Sequence, residues 1–186
     1  MPLDLSAPPE AGISFRAIEA GDDAFLRQLY RNTREQELAR TGWDEAAKSA
    51  FINNQFDCQD RWYREQYAGV RLLLIERGGA PAGRLYLHET AGELRLMEIA
   101  LVPALRNRGI GTQLIRWLMA SAAREGRDVT LYVETFNRAR SLYERLGFEE
   151  ESNDGLYVRM RCRPRNSEAV EDRLDHAPLR VVGTHE

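Results

Sequence analysis

The stretch Leu94–Leu118, LRLMEIALVPALRNRGIGTQLIRWL, restricts the possible folds more than any other part of the chain. A strand-like apolar pattern runs to Val102-Pro103, a short loop follows, and Arg106-Asn-Arg-Gly-Ile-Gly111 leads directly into a helical pattern. Ile110, Leu114, Trp117, Leu118 and Ala122 recur on one face of that helix. Strand, glycine loop and helix in immediate succession bring an open helix N-terminus to the end of a sheet strand. Glycines at 109 and 111 let the backbone turn and approach a ligand closely. The first N–H groups of the helix have no intrahelical partner, and the helix dipole adds partial positive charge. A phosphate site follows, with Arg106 and Arg108 placed to add guanidinium contacts. The loop by itself specifies no more than that. A dinucleotide fingerprint needs glycine at 114, where leucine stands, and the Gly-Lys-Ser/Thr of a phosphate-loop NTPase is absent.

The surrounding sequence places this motif in a mixed α/β chain with one central sheet. Ile13–Glu19 alternates as a short strand, and Gly21-Asp22-Asp23 supplies turn and cap chemistry for a helix over 24–39. Thr41-Gly42 breaks it, and a second helix spans Asp44 to Tyr67. Val70–Glu76, Gly83–Glu89 and Glu93–Val102, separated by Gly78-Gly79-Ala80-Pro81 and Ala91-Gly92, read as an antiparallel meander. Beyond the glycine loop's helix, which Gly126 ends, Val129–Val133 is a strand. Asn137 can cap a helix carrying Ala139, Leu142, Tyr143 and Leu146 at helical spacing. Phe148–Glu150 and Leu156–Arg161 read as the last strands. Residues 1–12 form a loose lead-in, 13–162 one domain, and the polar 163–186 a mobile tail.

The run Asn137-Arg-Ala-Arg-Ser-Leu-Tyr-Glu-Arg-Leu-Gly-Phe148, taken with Ile-Ala-Leu-Val-Pro103 and Arg-Asn-Arg-Gly-Ile-Gly-Thr112, resembles the GNAT superfamily of acetyl-CoA-dependent N-acetyltransferases. The resemblance follows element order over residues 13–161 and is specific over 94–148. It implies a mixed sheet with an antiparallel N-terminal meander, splayed parallel strands and about four flanking helices. It also implies that Asn107, Arg108, Gly109, Ile110, Gly111 and Thr112, with Arg106, hold the pyrophosphate of acetyl-CoA. Leu101 and Val102 would pair with the pantetheine amides as an added strand would. Asn137, Ala139 and Tyr143 would line the far side of the cleft. The implied reaction is direct attack of an amine on the thioester. A backbone N–H near Leu101 or Val102 would stabilise the oxyanion, and Tyr143 would protonate the leaving thiolate. From the residues alone, Asn137, Ala139 and Tyr143 also read as a helix cap, a packing alanine and a core tyrosine.

The base is open at this level. Glu98, on the same strand face as Leu96, Ala100 and Val102, would be desolvated and its proton affinity raised. A buried ion pair with Arg84 or Arg95 is the equal alternative. His88 is a third candidate, more simply a structural strand histidine. On the second helix, Phe51, Gln55, Gln59, Tyr63 and Tyr67 follow at i+4 steps, either as a half-buried face or as one wall of a polar pocket. Asp57, Asp60 and Glu65 on that helix would favour a cationic amine.

Composition narrows the function. The 26 Lys+Arg and 29 Asp+Glu give a formal charge of −3, which offers no general attraction to nucleic acid or to an anionic membrane. Lys48 is the single lysine, so a side chain that grips phosphate here is almost always a guanidinium fork. Cys58 and Cys162 have neither metal-ligand nor disulfide spacing, so no metal is expected. The first residues lack a basic and an apolar signal region, and no run approaches a membrane span, so the expected setting is cytoplasmic. The acceptor is expected to be a small-molecule or peptide amine, with a homodimer allowed by the resemblance. An acyl-CoA-binding sensor without catalysis is the alternative; a proton-donating phenol and a strand carboxylate favour the enzyme.

Overall fold

The computed structural model describes residues 3–5 and 12–164, so the expected tail lies outside the described residues apart from 163 and 164. β1 (Ile13–Ala17) opens the sheet and a 3-10 turn at Ala20–Asp22 leads into α1 (Asp23–Leu38). The turn forms where the sequence puts it, but the Asp22 carboxylate does not cap α1. It takes both arms of the Arg16 guanidinium at 2.7 Å and the Glu19 N–H at 2.8 Å. Those bonds, Arg16 first, hold its carboxyl at about 2, below the ordinary 3.8. α2 (Glu45–Gln66) does have the expected cap: Asp44 accepts from the Ala47 N–H at 2.8 Å.

β2 (Arg71–Arg77), β3 (Ala80–Glu89) and β4 (Glu93–Leu101) form the meander. β3 begins at Ala80, earlier than the expected Gly83, because the pairing skips Ala82 between Glu76–Pro81 and Ile75–Gly83. This bulge keeps Pro81, which has no N–H to give, inside the strand. α3 (Ile110–Arg124), β5 (Asp128–Glu134), α4 (Ala139–Arg145), β6 (Glu149–Asn153) and β7 (Tyr157–Cys162) complete the fold. The seven strands run in the order β1-β2-β3-β4-β5-β7-β6, with β4–β5 the parallel pair. Mixed α/β architecture with four helices is therefore the fold.

Helices cover both faces of the sheet. Leu85, Leu87, Leu94 and Leu96 pack with Leu114, Leu118 and Ala122 of α3, all nearly or wholly buried, and α4 adds Leu142 and Tyr143. On the opposite face Leu26 and Tyr30 of α1 meet Ile52 and Phe56 of α2 over Leu74, while Tyr63 packs on Tyr86 and Leu72. The lead-in is pinned at Leu3. Its N–H donates to Glu89 Oε2 at 2.8 Å, its carbonyl accepts from Arg71 at 2.9 Å, and its side chain joins the larger core.

Two irregularities position the site. β4 pairs with β5 over Glu93–Leu96 alone, so from Met97 onward the two strands separate. β4 also carries a bulge against β3: Tyr86 opposes Glu98 and Leu87 opposes Leu96, leaving Met97 extra. One extra residue reverses which way every later side chain points.

Candidate active site

Two cavities meet in the gap between β4 and β5. One, of about 620 Å³, is lined by Leu101, Arg106, Asn107, Gly109, Gly111 and Thr112 and by Asn137, Ala139 and Tyr143 across the gap. The other, of about 660 Å³, lies between α2 and the diverging strands, with Gln59, Trp62, Tyr63, Tyr67 and Glu98 in its wall. Ile99, Asn137 and Tyr143 line both. A closed sheet would separate these two faces by its own thickness; the splay opens a passage through it.

The loop before α3 has the form of an anion cradle. Asn107 (φ 58°) and Gly109 (φ 81°) both occupy the left-handed region, which lets the chain turn sharply just before α3. No side chain caps α3, and its first helical bond runs from the Gln113 N–H to the Gly109 carbonyl at 3.0 Å. The N–H groups of Ile110, Gly111 and Thr112 thus have no helical partner, although the Ile110 side chain itself is core. A Cβ on Gly111 would meet nothing nearer than Leu101 Cδ1 at 4.0 Å, so the space beside it is open to a ligand. These features fit a pyrophosphate.

The arginines are used differently from the expectation. Arg106 turns inward: its Nε donates to the Leu101 carbonyl at 2.8 Å and Nη1 to the Asn32 carbonyl at 3.3 Å. Only Nη2, buried and without a partner, stays unspent. Arg106 thus ties the end of β4 to the loop and to α1 instead of offering a fork. Arg108 is exposed and outside the groove wall. Arg145, at the end of α4, does line the groove and had no sequence signal to mark it.

Val102 also departs from its expected role. Its N–H donates to the Ala82 carbonyl at 2.9 Å, so it is closed to a thioester oxygen or a pantetheine amide. Strand alternation then turns the Leu101 and Ile99 N–H groups to the opposite, open edge of β4. The Leu101 carbonyl is already taken by Arg106, which leaves its N–H. Ile99, which the sequence reading did not single out, completes the row.

Glu98 is where the bulge matters most. It does not share a face with Leu96: the extra residue at Met97 puts Leu96, Ile99 and Leu101 over α3, and Glu98 and Ala100 with Arg84 and Tyr86 toward α2. Of the two readings of Glu98, the ion pair with Arg84 is the one formed. Arg84 Nε donates to Glu98 Oε1 at 3.1 Å and Nη2 makes a second, closer bond to the same oxygen. Arg95 pairs instead with Glu93, and His88 packs its ring on Tyr67 outside both cavities.

Tyr143 sits at the junction, its ring edge-on to Phe148 at 5.7 Å, and burial raises its hydroxyl pKa. The Asn137 side chain accepts from the Ala139 N–H at 2.9 Å, but from one position before Arg138, which takes the cap place of α4 without a side-chain cap bond; Asn137 also borders the passage. The i+4 row of α2 contributes from Gln59 onward, whereas Phe51 packs against Trp43. Asp57 and Asp60 pair with Arg27 and Arg64, and neither they nor Glu65 line the cavity. The carboxylates that do are Glu98, Glu134 and Asp154. Tyr132 and Tyr157 join them; Tyr132 was detectable as the outward aromatic between Leu131 and Val133.

The GNAT acetyltransferase domain family matches residues 68–150. No curated protein sequence matches the chain. Among solved structures, the PaiA N-acetyltransferase of Thermoplasma acidophilum in complex with coenzyme A is 20% identical, with a TM-score of 0.61 over 81% of this chain and 98% of that one. Spermidine N-acetyltransferase from Vibrio cholerae in complex with CoA and spermine is 19% identical, with a TM-score of 0.56 over 83% and 97%. RimL, a ribosomal L7/L12 α-N-protein acetyltransferase, is 18% identical, with a TM-score of 0.57 over 85% and 93%. At these identities the likeness is one of fold.

Proposed function

We propose that the chain, whose residues 68–150 match the GNAT acetyltransferase domain family, transfers an acetyl group from acetyl-CoA to a primary amine of a small molecule or peptide by direct attack. The observation that carries this reading is the junction at Tyr143, where an anion-binding groove and an acceptor cavity open onto one another through the splayed strands. The α3 N-terminus and the Asn107–Thr112 amides hold the pyrophosphate. The open edge of β4 pairs with pantetheine, and the Leu101 or Ile99 N–H faces the developing oxyanion.

The amine enters from the α2 side past Gln59 and Tyr63 and delivers its proton toward Glu98, directly or through one water. As the C–S bond breaks, Tyr143 gives its proton to the thiolate sulfur and recovers one from solvent. Its raised pKa keeps the phenol protonated throughout the working range, as an acid requires. The two readings of Glu98 therefore combine: the carboxylate is paired through one oxygen and works through the other. Among the similar structures, one N-acetyltransferase is in complex with CoA and spermine, which carries primary amines, and another is an α-N-protein acetyltransferase.

The test is release of CoA thiol from acetyl-CoA across a panel of primary amines, small and peptidic. Amine-dependent release that Tyr143→Phe slows, with acetyl-CoA affinity retained, supports the reading. Tight acetyl-CoA binding with no release for any amine would favour a sensor.

A further inference from the structure

Arg84 is a buried charge in a place that packing does not explain. It stands on β3 with its side chain wholly buried, its guanidinium 5.0 Å from the Tyr86 ring centre, 5.4 Å from Tyr30 and 5.7 Å from Phe56. Three aromatic rings would cover a methionine or leucine as well, without the desolvation cost of a cation. Its carboxylate partner is Glu98, met twice through Oε1. Nη2 also donates to Gln59 Oε1 at 3.1 Å, tying α2 to the pair. The remaining atoms are unsatisfied: Arg84 Nη1, Tyr86 Oη and Glu98 Oε2 are buried without a hydrogen-bond partner. As a stability device this cluster is poor, because each orphaned polar atom costs free energy.

Resting on the proposed acetyl transfer, we propose that Arg84 is a positioning residue. It holds Glu98 through Oε1 and leaves Oε2, the oxygen without a partner, to take the acceptor's proton. Gln59 holds the guanidinium from the α2 side, so acceptor cavity and base are aligned by one fork. The bulge at Met97 is what makes this possible, since without it Glu98 would point to the α3 face.

Charged and titratable groups surround Glu98. Arg84 and Tyr86 face it from β3 and Tyr63 from α2; Arg34 of α1 and Tyr143 of α4 share its cavity, and Glu134 and Asp154 stand in the wall nearer β5 and β7. Among the described residues, Arg84 is the one cation bonded to it. Removing that charge leaves an unpaired carboxylate in a desolvated place, which binds a proton more readily.

The experiment is a pH profile of kcat/KM for wild type, Arg84→Met, Arg84→Lys, Glu98→Gln and the double variant Arg84→Met/Glu98→Gln, with acetyl-CoA affinity measured alongside. Arg84→Met should move the acidic limb to higher pH by about one to three units and leave acetyl-CoA affinity unchanged. Arg84→Lys should keep the limb near its wild-type position but lower kcat, since the fork is lost. On the Glu98→Gln background, Arg84→Met should add little further loss. An unmoved limb in Arg84→Met, or an equal loss of kcat with Glu98 present and absent, overturns the proposal. If Arg84→Met does not fold, Arg84→Lys decides: wild-type kcat there refutes a positioning fork. Wild-type activity in Glu98→Gln would instead overturn the assignment of the base.

Discussion

A buried tyrosine is a poor base and a serviceable acid. Tyr143 has burial as the single cause of its raised pKa, so its ionisation cannot produce a decline in rate until pH exceeds the ordinary phenol value of about 10. Tyr143→Phe should lower kcat about a hundredfold or more while acetyl-CoA affinity stays within about twofold, measured by thiol release and by calorimetry. Unchanged kcat would reduce the residue to packing against Phe148. Asp22 gives a second prediction at this scale. Its folded pKa, about 2, lies below its ordinary 3.8, so its contribution to stability is complete above the ordinary value and is lost as pH falls through about 2. Urea midpoints for Asp22→Asn should therefore fall below wild type at pH 7, and the gap should narrow between pH 4 and pH 2. A gap that stays constant across that window would contradict the assignment. Tyr143 and Asn137 were legible as residues because helical spacing and capping chemistry mark them. Arg106 was legible as a cation but not as an inward one, because its partners, the Leu101 and Asn32 carbonyls, are brought there by the fold.

Elements carry the next set of consequences. The start of α3 is open because Gly109 takes a left-handed φ of 81° and no side chain caps the helix. A Cβ at Gly111 meets no protein atom within 4 Å except Leu101 Cδ1 at 4.0 Å, so Gly111→Glu should fold and place a carboxylate in the proposed phosphate site. Its melting temperature should stay near wild type while acetyl-CoA affinity falls about a hundredfold or more, and wild-type affinity would dismiss the cradle. Gly83 shows the opposite case. A Cβ there would lie 2.3 Å from the Ala100 carbonyl oxygen, so Gly83→Ala must push β3 and β4 apart beside the cleft. A loss of about 1–3 kcal/mol in urea unfolding is expected. Existence and order of the strands were readable from periodicity. The two bulges were not, because alternation in one strand says nothing of an extra residue until its partner strand is known. Glu98 was assigned to the wrong face for that reason, and the first half of the α2 row faces away from the cavity because the i+4 stripe drifts around the helix.

At the scale of the whole molecule, the proposed function rests on an interruption. A sheet continuous through β4 and β5 would wall the phosphate side off from the α2 side, and Tyr143 could not share a cavity with Glu98. The pairing ends at Leu96–Leu131, and beyond it Ile99, Asn137 and Tyr143 border both spaces. The glycine loop and open helix start on the groove side were legible in the sequence, because helix N-termini and glycine loops are local devices. The acceptor side was foretold poorly: its wall is assembled from α1, α2, β4, β5, α4, β7 and the β6–β7 turn, which no local pattern links. The most direct test of the plan is calorimetric titration of the protein with acetyl-CoA, with ADP alongside. Binding of acetyl-CoA well above that of ADP is the predicted result, since the groove continues from the phosphate cradle along β4 to Tyr143. Equal binding of the two, or none of either, would mean that the passage along β4 is not a pantetheine site, and the acetyl-transfer reading would fall.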